Sequence, residues 1–259
     1  MGSFIMKIAA IIPARMGSSR FPGKPLAPIL GCSMIEHVYR RALMCQALDE
    51  VYVATCDSEI FESVESFGGR AIMTAPTHER ASDRVAEAAV DLDCDVVVMI
   101  QGDEPMTQPQ MIEGSLTPFL SNDLDIACVN LTARITSQKE FEDPNTIKVV
   151  MDRAGFALYM SREPIPTRQV QDFGQISAFK QVCIIPFTAG ALQEFSRLSP
   201  TPLEIAESID MMRFIEHGRR VKMVETSFST HAVDTPADLK YVEGLLAKDP
   251  LTRKYLKDL

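Results

Sequence analysis

The chain has 259 residues, of which 46% are hydrophobic, and its 26 Lys and Arg against 35 Asp and Glu give a formal net charge of −9. That length and apolar content are sufficient for one large α/β domain, with or without a smaller appended lobe. The acidic balance argues against general binding to nucleic acid or to an anionic membrane surface, although a local basic pocket can still bind a small anion.

The first half alternates short apolar strands with amphipathic helices. Continuous apolar strands separated by helices predict a three-layer α/β/α arrangement around a mostly parallel, mixed sheet. Ligands of such sheets bind beyond the carboxyl ends of the strands. The predicted strands are Lys7–Ile12, Glu50–Thr55, Arg70–Met73, Val96–Ile100 and Asp125–Val129, and the predicted helices are Met34–Leu48, Ser58–Phe67, Ala81–Leu92 and Gln108–Leu120.

The pattern changes after about residue 130, where we expect a smaller substrate-binding and dimerisation lobe within one α/β domain. The nucleotide-binding half is then about 7–130, the lobe is about 131–230, and 231–259 returns to the core. The polar segment 168–178 is expected to be a mobile loop. The other predicted elements are a hairpin of Thr146–Met151 with Gly155–Met160, strands at Val182–Phe187 and Val221–Glu225, and helices at Ala189–Leu198, Glu204–His217 and Pro236–Leu246.

Three global properties concern location and assembly. No apolar run approaches the ~18 residues of a membrane span, and the N-terminus lacks the basic and apolar regions of a signal peptide. Six scattered cysteines without a C-x-x-C spacing predict reduced thiols in a cytoplasmic protein. Apolar residues on the second-half strands predict a homodimer in which a two-fold partner covers them.

A basic loop joins the first predicted strand to the first helix. Small residues let backbone N–H groups approach an anion, and cations supply charge, so a strand, basic loop and helix are typical of nucleotide phosphate sites. The loop has neither a Gly-Lys-Ser/Thr ending nor G-x-G-x-x-G, which excludes a Walker loop and a dinucleotide fingerprint. Its candidate phosphate ligands are Arg15, Gly17, Ser18, Ser19, Arg20 and Lys24.

Two carboxylates are candidate metal ligands. Asp103 comes directly after the buried strand 96–100, in the sequence Gln-Gly-Asp-Glu-Pro, and Asp234 precedes the last long helix. Both also have a local explanation, because Asp commonly caps a turn or helix. Close carboxylates share either a proton or a cation, and Mg²⁺ prefers oxygen ligands. If Asp103 and Asp234 lie close together, a magnesium ion can bind between them, and the residues alone leave this role and the capping role open.

Taken together, these segments resemble the 3-deoxy-manno-octulosonate cytidylyltransferase family of the nucleotidyltransferase superfamily. The resemblance is most specific at 13–26 (PARMGSSRFPGKPL), 101–106 (QGDEPM) and 233–239 (VDTPADL), and it extends over nearly the whole chain through 34–38, 53–57, 157–162 and 202–207 with Arg213. It implies a nucleotide-diphospho-sugar transferase-like fold. It also implies that CTP and a 2-keto-3-deoxy sugar acid give a CMP-sugar and pyrophosphate, for cell-surface lipopolysaccharide synthesis.

The resemblance also implies roles for individual residues. Lys24, Arg15 and Asp103 are the implied catalytic residues, with Mg²⁺ held by Asp103 and Asp234. The basic loop is implied to bind the triphosphate, and Ser82 and Arg84 are implied to bind the base. Nucleotidyl transfer needs positioning and charge neutralisation more than covalent catalysis, which suits these residue types. The implied sugar-acid residues are Gln101, Arg162 (as a carboxylate clamp), Gln181, Glu204 and Glu207.

The chain departs from the family pattern in two places. Arg80-Ala81 replaces the usual Ser-Gly before the base-binding segment, which affects the expected strictness for CTP. In the strand that lines the sugar pocket, the family has His-x-Gly-x-Tyr, and this chain has Gln181, Cys183 and Ile185. These changes make the pocket wall more apolar and more crowded. The substrate could therefore be 3-deoxy-manno-octulosonate (Kdo) or a related acid, including an amino or deoxy variant.

Alternative functions remain at this point. One is a CMP-transferase for a sialic-acid-like nonulosonate, and another is a nucleotide-binding homologue without catalysis. The presence of Lys24 together with Asp103 and Asp234 argues against a non-catalytic protein. A glycosyltransferase would be expected to have Asp-x-Asp after a strand, whereas residues 91–93 (Asp-Leu-Asp) precede the strand.

Overall fold

The structure is a computed structural model that describes residues 6–17, 20–121, 126–170 and 172–256. Its chain divides into two units, one of Met1–Glu113 with Thr230–Leu259 and one of Gly114–Ser229, as far as they are described. Up to α4, the elements are β1 (Ile8–Ala14), β2 (Pro28–Ile29), β3 (Cys32–Ser33), α1 (Met34–Leu43), β4 (Glu50–Thr55), α2 (Ser58–Ser66), β5 (Ala71–Met73), α3 (Ala81–Ala88), β6 (Val96–Ile100) and α4 (Pro109–Leu120).

Four strands of the first unit form a parallel array in the order β6-β1-β4-β5. All residues of β1 and β6 are buried, which explains their continuous apolar sequences. The pairing aligns Ile11 with Met99 and Ala14 with Thr55, so the carboxyl ends of these strands meet at one edge. The predicted parallel α/β architecture is confirmed, and the basic loop and Asp103 leave from that edge.

The second unit has its own mixed sheet. Its strands follow the order β12-β7-β10-β8-β9, antiparallel except for the β12–β7 pair, and β8 with β9 confirms the predicted hairpin. The elements are β7 (Val129–Arg134), α5 (Gln138–Glu142), β8 (Lys148–Met151), β9 (Ala157–Ser161), β10 (Phe179–Val182), β11 (Ile184–Thr188), α6 (Ala189–Arg197), α7 (Pro202–Glu207), α8 (Met211–Glu216) and β12 (Lys222–Glu225).

The chain then returns to the first unit with α9 (Pro236–Leu246) and α10 (Thr252–Tyr255). The fully buried Arg41 of α1 holds the start of α10 in place, because its guanidinium donates to Asp249 at 2.5 Å and to the Thr252 hydroxyl at 2.9 Å. All six cysteines are free. No helix in the described ranges is long and apolar enough to span a bilayer.

Several predicted segments are wrong in their extent. The helix predicted at Met34–Leu48 ends at Leu43, and the helix predicted at Ala81–Leu92 ends at Ala88. The strand predicted at Asp125–Val129 begins instead at Val129, and Asp125 lies outside the described residues. The strand predicted at Val182–Phe187 is divided at Cys183, because β10 ends its pairing with β7 at Val182. The helix predicted at Glu204–His217 is two helices, because Ser208 adopts a left-handed φ of 54° and ends α7.

Candidate active site

One ammonium group joins the two predicted metal carboxylates. Lys24 Nζ lies 2.7 Å from Asp103 Oδ2 and 3.1 Å from Asp234 Oδ1, and the Lys24 side chain is only 13% exposed. Arg20 Nη2 adds a contact of 2.9 Å to the same Asp234 oxygen. The structure therefore brings together four of the predicted site residues, two cations and two carboxylates, within the first unit.

The position of Asp103 depends on a close approach between two strand ends. A Cβ atom on Gly102 would lie 2.9 Å from the Pro13 carbonyl oxygen, so this position has no room for a side chain. The backbone of Asp103 is itself used, because its carbonyl oxygen accepts a 2.9 Å hydrogen bond from the N–H of Val233. That bond holds the segment before α9 beside the end of β6, and it explains why Asp234 lies next to Asp103.

Asp234 is fixed by the start of α9. Thr235 and Asp238 form a capping box, and Asp238 Oδ2 also accepts the backbone N–H of Asp234 at 3.2 Å. Burial alone would raise the pKa of Asp238, but hydrogen bonds from Thr235 and the Asp234 backbone outweigh it and lower the pKa below its ordinary value. The local capping role is therefore taken by Thr235 and Asp238, which leaves the Asp234 carboxylate for the ion cluster.

The basic loop is anchored at its start and at its end. Met16 N–H donates to Asp57 Oδ2 at 2.8 Å, and Gly23, at a left-handed φ of 71°, donates to the Met16 carbonyl at 3.1 Å. Between these anchors, Arg15 and Gly17 are exposed. Arg15 makes no ion pair with any described residue, so its charge is available to an anion. Ser18 and Ser19 lie outside the described residues.

The electrostatics of Lys24 favour its charged form. Burial alone would lower the pKa of Lys24, but the charge and hydrogen bond of Asp103, followed by those of Asp234, outweigh burial and raise the pKa above its ordinary value. The ammonium is therefore retained at neutral pH. A permanent cation at this strand edge can neutralise phosphate charge as it develops during a transfer reaction.

The two residues predicted for the base lie in the first turn of α3. Ser82 is fully buried, with its hydroxyl 3.8 Å from Met99 Sδ. Arg84 is 3% exposed and donates through Nη1 to Thr74 Oγ1, whereas its Nη2 is buried with no hydrogen-bond partner among the described residues. A buried guanidinium donor without a partner costs free energy unless a ligand supplies the acceptor.

In the second unit, Arg162 and Glu207 form one network. The guanidinium of Arg162 donates to three backbone carbonyls, those of Glu207 (2.8 Å), Pro144 (3.0 Å) and Ser208 (3.3 Å). Glu207 in turn accepts from the Arg162 backbone, Ser161 and Tyr159; these bonds outweigh burial and lower its pKa below the ordinary value. In this arrangement Arg162 acts as a brace between segments, and its donors are directed to the backbone.

The remaining predicted sugar residues differ in their surroundings. Glu204 is fully buried, and both of its oxygens are held by Arg213, at 2.8 Å and 2.7 Å. Gln181 is half-buried, and its amide donates to Asn130 Oδ1 at 2.6 Å. Gln101 lies half-buried at the end of β6 in the first unit. Glu204 can therefore shape a pocket through its neighbours, while Gln181 and Gln101 are each partly exposed.

Sequence reasoning did not assign a role to Asp57, which holds the basic loop. The sequence does contain a signal for this residue, because Asp57 lies just after the carboxyl end of β4, as Asp103 lies just after that of β6. The contact between Arg20 and Asp234 was also missed. It joins residues that are 214 positions apart, and no local pattern reports such a pair.

The chain is similar to known proteins both in sequence and in structure. The cytidylyltransferase family pattern matches residues 9–223. The 3-deoxy-manno-octulosonate cytidylyltransferase of Geobacter metallireducens is 45% identical over 250 residues, covering 93% of this chain and 98% of that protein. The 8-amino-3,8-dideoxy-manno-octulosonate cytidylyltransferase of Shewanella woodyi is 40% identical over 247 residues, covering 94% and 100%. A solved structure of CMP:2-keto-3-deoxy-manno-octonic acid synthetase complexed with CTP is 39% identical, with a TM-score of 0.86 and coverage of 93% and 99%.

Proposed function

The chain belongs to the cytidylyltransferase family, and we propose that it transfers CMP from CTP to 3-deoxy-manno-octulosonate or a close relative of that sugar acid. The observation that carries this proposal is the contact of Lys24 Nζ with both Asp103 and Asp234 at the carboxyl end of a parallel sheet. This cluster combines a cation with paired carboxylates, the charges that serve nucleotidyl transfer. In the reaction, the anomeric hydroxyl attacks the α-phosphorus of CTP, and pyrophosphate leaves.

We assign the triphosphate to the basic loop. The exposed Arg15 and the neighbouring backbone at Gly17 face solvent, and Arg20 and Lys24 supply two further positive charges. Ser18 and Ser19 lie between them in the sequence and belong to the same proposal. These groups bind and orient the phosphates and stabilise the charge that moves to the leaving pyrophosphate.

Asp103 and Asp234 fit Mg²⁺ as a pair. Their carboxylate oxygens already meet at one cation, Lys24 Nζ, and oxygen is the ligand type that Mg²⁺ prefers. The described residues contain no group of three or more Asp, Glu, His and Cys arranged to hold a metal, so two protein ligands would leave further positions for phosphate oxygens and water. When bound, the metal supplies charge neutralisation at the transferred phosphate.

A second set of residues is proposed for the base and for the sugar acid. Arg84 Nη2, buried and without a partner among the described residues, supports a donor to the base, with Ser82 shaping the same turn. For the acid we propose Gln101 and Gln181 as direct contacts, and Arg162, Glu204 and Glu207 as residues that shape its pocket. The relatives named for Kdo and for its 8-amino form are similarly close to this chain, so both acids belong to the proposed substrate class.

We further propose that about 7–130 binds the nucleotide, that about 131–230 binds the acid and dimerises, and that 231–259 belongs to the core. Leu158, on the edge strand β9, is 59% exposed, and Ile205 of α7 is 63% exposed, which supports a covered apolar surface in a homodimer. Six free cysteines support a cytoplasmic location, where a CMP-sugar would be made for cell-surface lipopolysaccharide.

Pyrophosphate release tests the proposal. The purified protein is mixed with CTP, Mg²⁺ and, in separate reactions, Kdo, 8-amino-Kdo and a nonulosonate. We expect release with an octulosonate that requires metal and falls by about 10²-fold or more in Asp103→Asn. Glu59→Gln, which removes an exposed carboxylate from α2, is the matched control and should leave the rate unchanged. Release only with the nonulosonate would correct the acid, and no release with any acid would refute the activity.

A further inference from the structure

Asp103 and Asp234 already share a cation that belongs to the chain itself. Lys24 Nζ contacts one oxygen of each carboxylate, whereas the Arg20 side chain, which contacts Asp234, is half-exposed. Lys24 is the more buried of the two cations, so its contacts are screened less by water. The positive charge at the centre of the cluster therefore comes mainly from Lys24.

The ammonium of Lys24 lies between the two carboxylates that would hold a metal ion. A magnesium ion held by both Asp103 and Asp234 would have to lie close to the point where the ammonium now meets the two carboxylates. The positive charges of the Lys24 ammonium and of a magnesium ion would repel each other strongly at such close range in a partly buried site. The lysine and the metal would therefore compete for the two carboxylates.

We propose that Lys24 holds the metal carboxylates until the nucleotide phosphates draw its ammonium away, so that the metal enters with the nucleotide and not before it. This inference rests on the proposed function only in taking a nucleoside triphosphate and Mg²⁺ as the ligands. The exchange keeps Lys24 paired with an anion at each stage, which avoids an uncompensated charge in a largely buried position. The long lysine stem, carrying a point charge with rotatable donors, allows such a movement.

The exchange predicts coupling between the two ligands. Phosphate that binds Lys24 frees the carboxylates for metal, and metal on the carboxylates frees Lys24 for phosphate, so each ligand strengthens the other by the same factor. Removing the lysine charge should remove the competitor. Metal alone would then bind the carboxylates without help from a nucleotide.

Binding of Mn²⁺ alone, followed by the electron paramagnetic resonance signal of the free ion, tests this directly. Without nucleotide, we expect Lys24→Met to bind Mn²⁺ roughly tenfold or more tightly than the unsubstituted protein, because the opposing charge is lost. Lys24→Arg keeps the charge and should bind as weakly as the unsubstituted protein. Adding Asp234→Asn to Lys24→Met should abolish the gain. Equal or weaker Mn²⁺ binding by Lys24→Met would overturn the inference.

Thermal unfolding covers the case in which Lys24→Met is poorly folded. Two facing carboxylates without their cation should destabilise the variant, and Mn²⁺ should then raise its Tm by more than it raises that of the unsubstituted protein. An equal rise in both proteins would count against the exchange. Pyrophosphate release separates the two proposals, because inactivity with every sugar acid refutes the function while the Mn²⁺ titration still decides the role of Lys24.

Discussion

Gly102 lies so close to Pro13 that the approach of β6 to β1 depends on the absence of a side chain: a Cβ atom there would also come within 3.2 Å of Ile35 Cδ1. Asp103 follows Gly102 directly, and the basic loop follows Pro13 after one residue. The packing of these two strand ends therefore sets the position of the metal carboxylate relative to the phosphate-binding cations.

Gly102→Ala should move this strand end. The nearest obstacle is a backbone oxygen, so the new methyl group cannot be accommodated by a rotamer change, and we expect a loss of about 1–3 kcal/mol in the free energy of unfolding. Activity should fall as Asp103 shifts. Gly190→Ala is the matched control, because its Cβ would meet no atom within 4 Å in α6 and alanine favours a helix. Urea unfolding of both variants measures the difference, and an unchanged Gly102→Ala would contradict this account.

Gly17→Ala should separate binding from stability. A Cβ at Gly17 would meet nothing within 4 Å, so the free energy of unfolding should stay as it is. If the backbone here approaches the triphosphate, the added methyl group should raise KM for CTP by roughly three- to tenfold, equivalent to about one lost hydrogen bond. Steady-state kinetics at saturating sugar acid would check it. An unaltered KM would remove Gly17 from the nucleotide site.

The parallel half of the fold could be predicted closely because its signals are local. The bounds of β4, β6 and α9 agree with the sequence pattern, since apolar runs and a Thr-Pro helix start mark them. The break between α7 and α8 could not be predicted in this way. It depends on the left-handed backbone of Ser208, and a serine within a helical pattern does not predict that conformation.

The candidate site was only partly predictable for a related reason. Asp103 and Asp234 follow from strand-end and helix-start rules, but their meeting at Lys24 joins residues up to 210 positions apart. The same limit applies to Arg162. Its residue type is typical of a carboxylate clamp, yet its donors contact the carbonyls of Pro144, Glu207 and Ser208. Tertiary contacts decide which partners an arginine has.

Arg213→Met should be strongly destabilising. It would leave the Glu204 carboxylate buried without its bidentate partner, and such a loss costs about 3–5 kcal/mol in the free energy of unfolding. Replacing both residues, with Glu204→Leu and Arg213→Met together, should recover much of that loss because no buried charge remains. Urea unfolding measures both. If Glu204→Gln instead raised KM for the sugar acid with full stability, Glu204 would be a direct ligand and the structural role assigned to it would be wrong.

Arg84→Lys tests the base-binding assignment. Lysine keeps the positive charge but loses the fork geometry and with it the buried Nη2 donor, so we expect KM for CTP to rise by roughly tenfold, in the range of a charge-assisted hydrogen bond. Arg253→Lys, on the exposed side of α10, is the control. A KM for CTP that is the same in both variants would show that Arg84 is structural.

His37 should make stability depend on pH. Its ring is fully buried, with Nδ1 2.7 Å from the Tyr255 hydroxyl and Nε2 2.8 Å from the Ile29 carbonyl, and burial lowers its pKa below the ordinary 6.5. Between the lowered pKa and 6.5 the unfolded chain binds more protons than the folded one, so the free energy of unfolding should decrease as pH falls below about 6.5. In His37→Gln, which can still accept from Tyr255 and donate to Ile29, that part of the decrease should disappear. Urea unfolding between about pH 7.5 and pH 5 measures the slope, with His217→Gln as the exposed control, and equal slopes in all three proteins would exclude this role of His37.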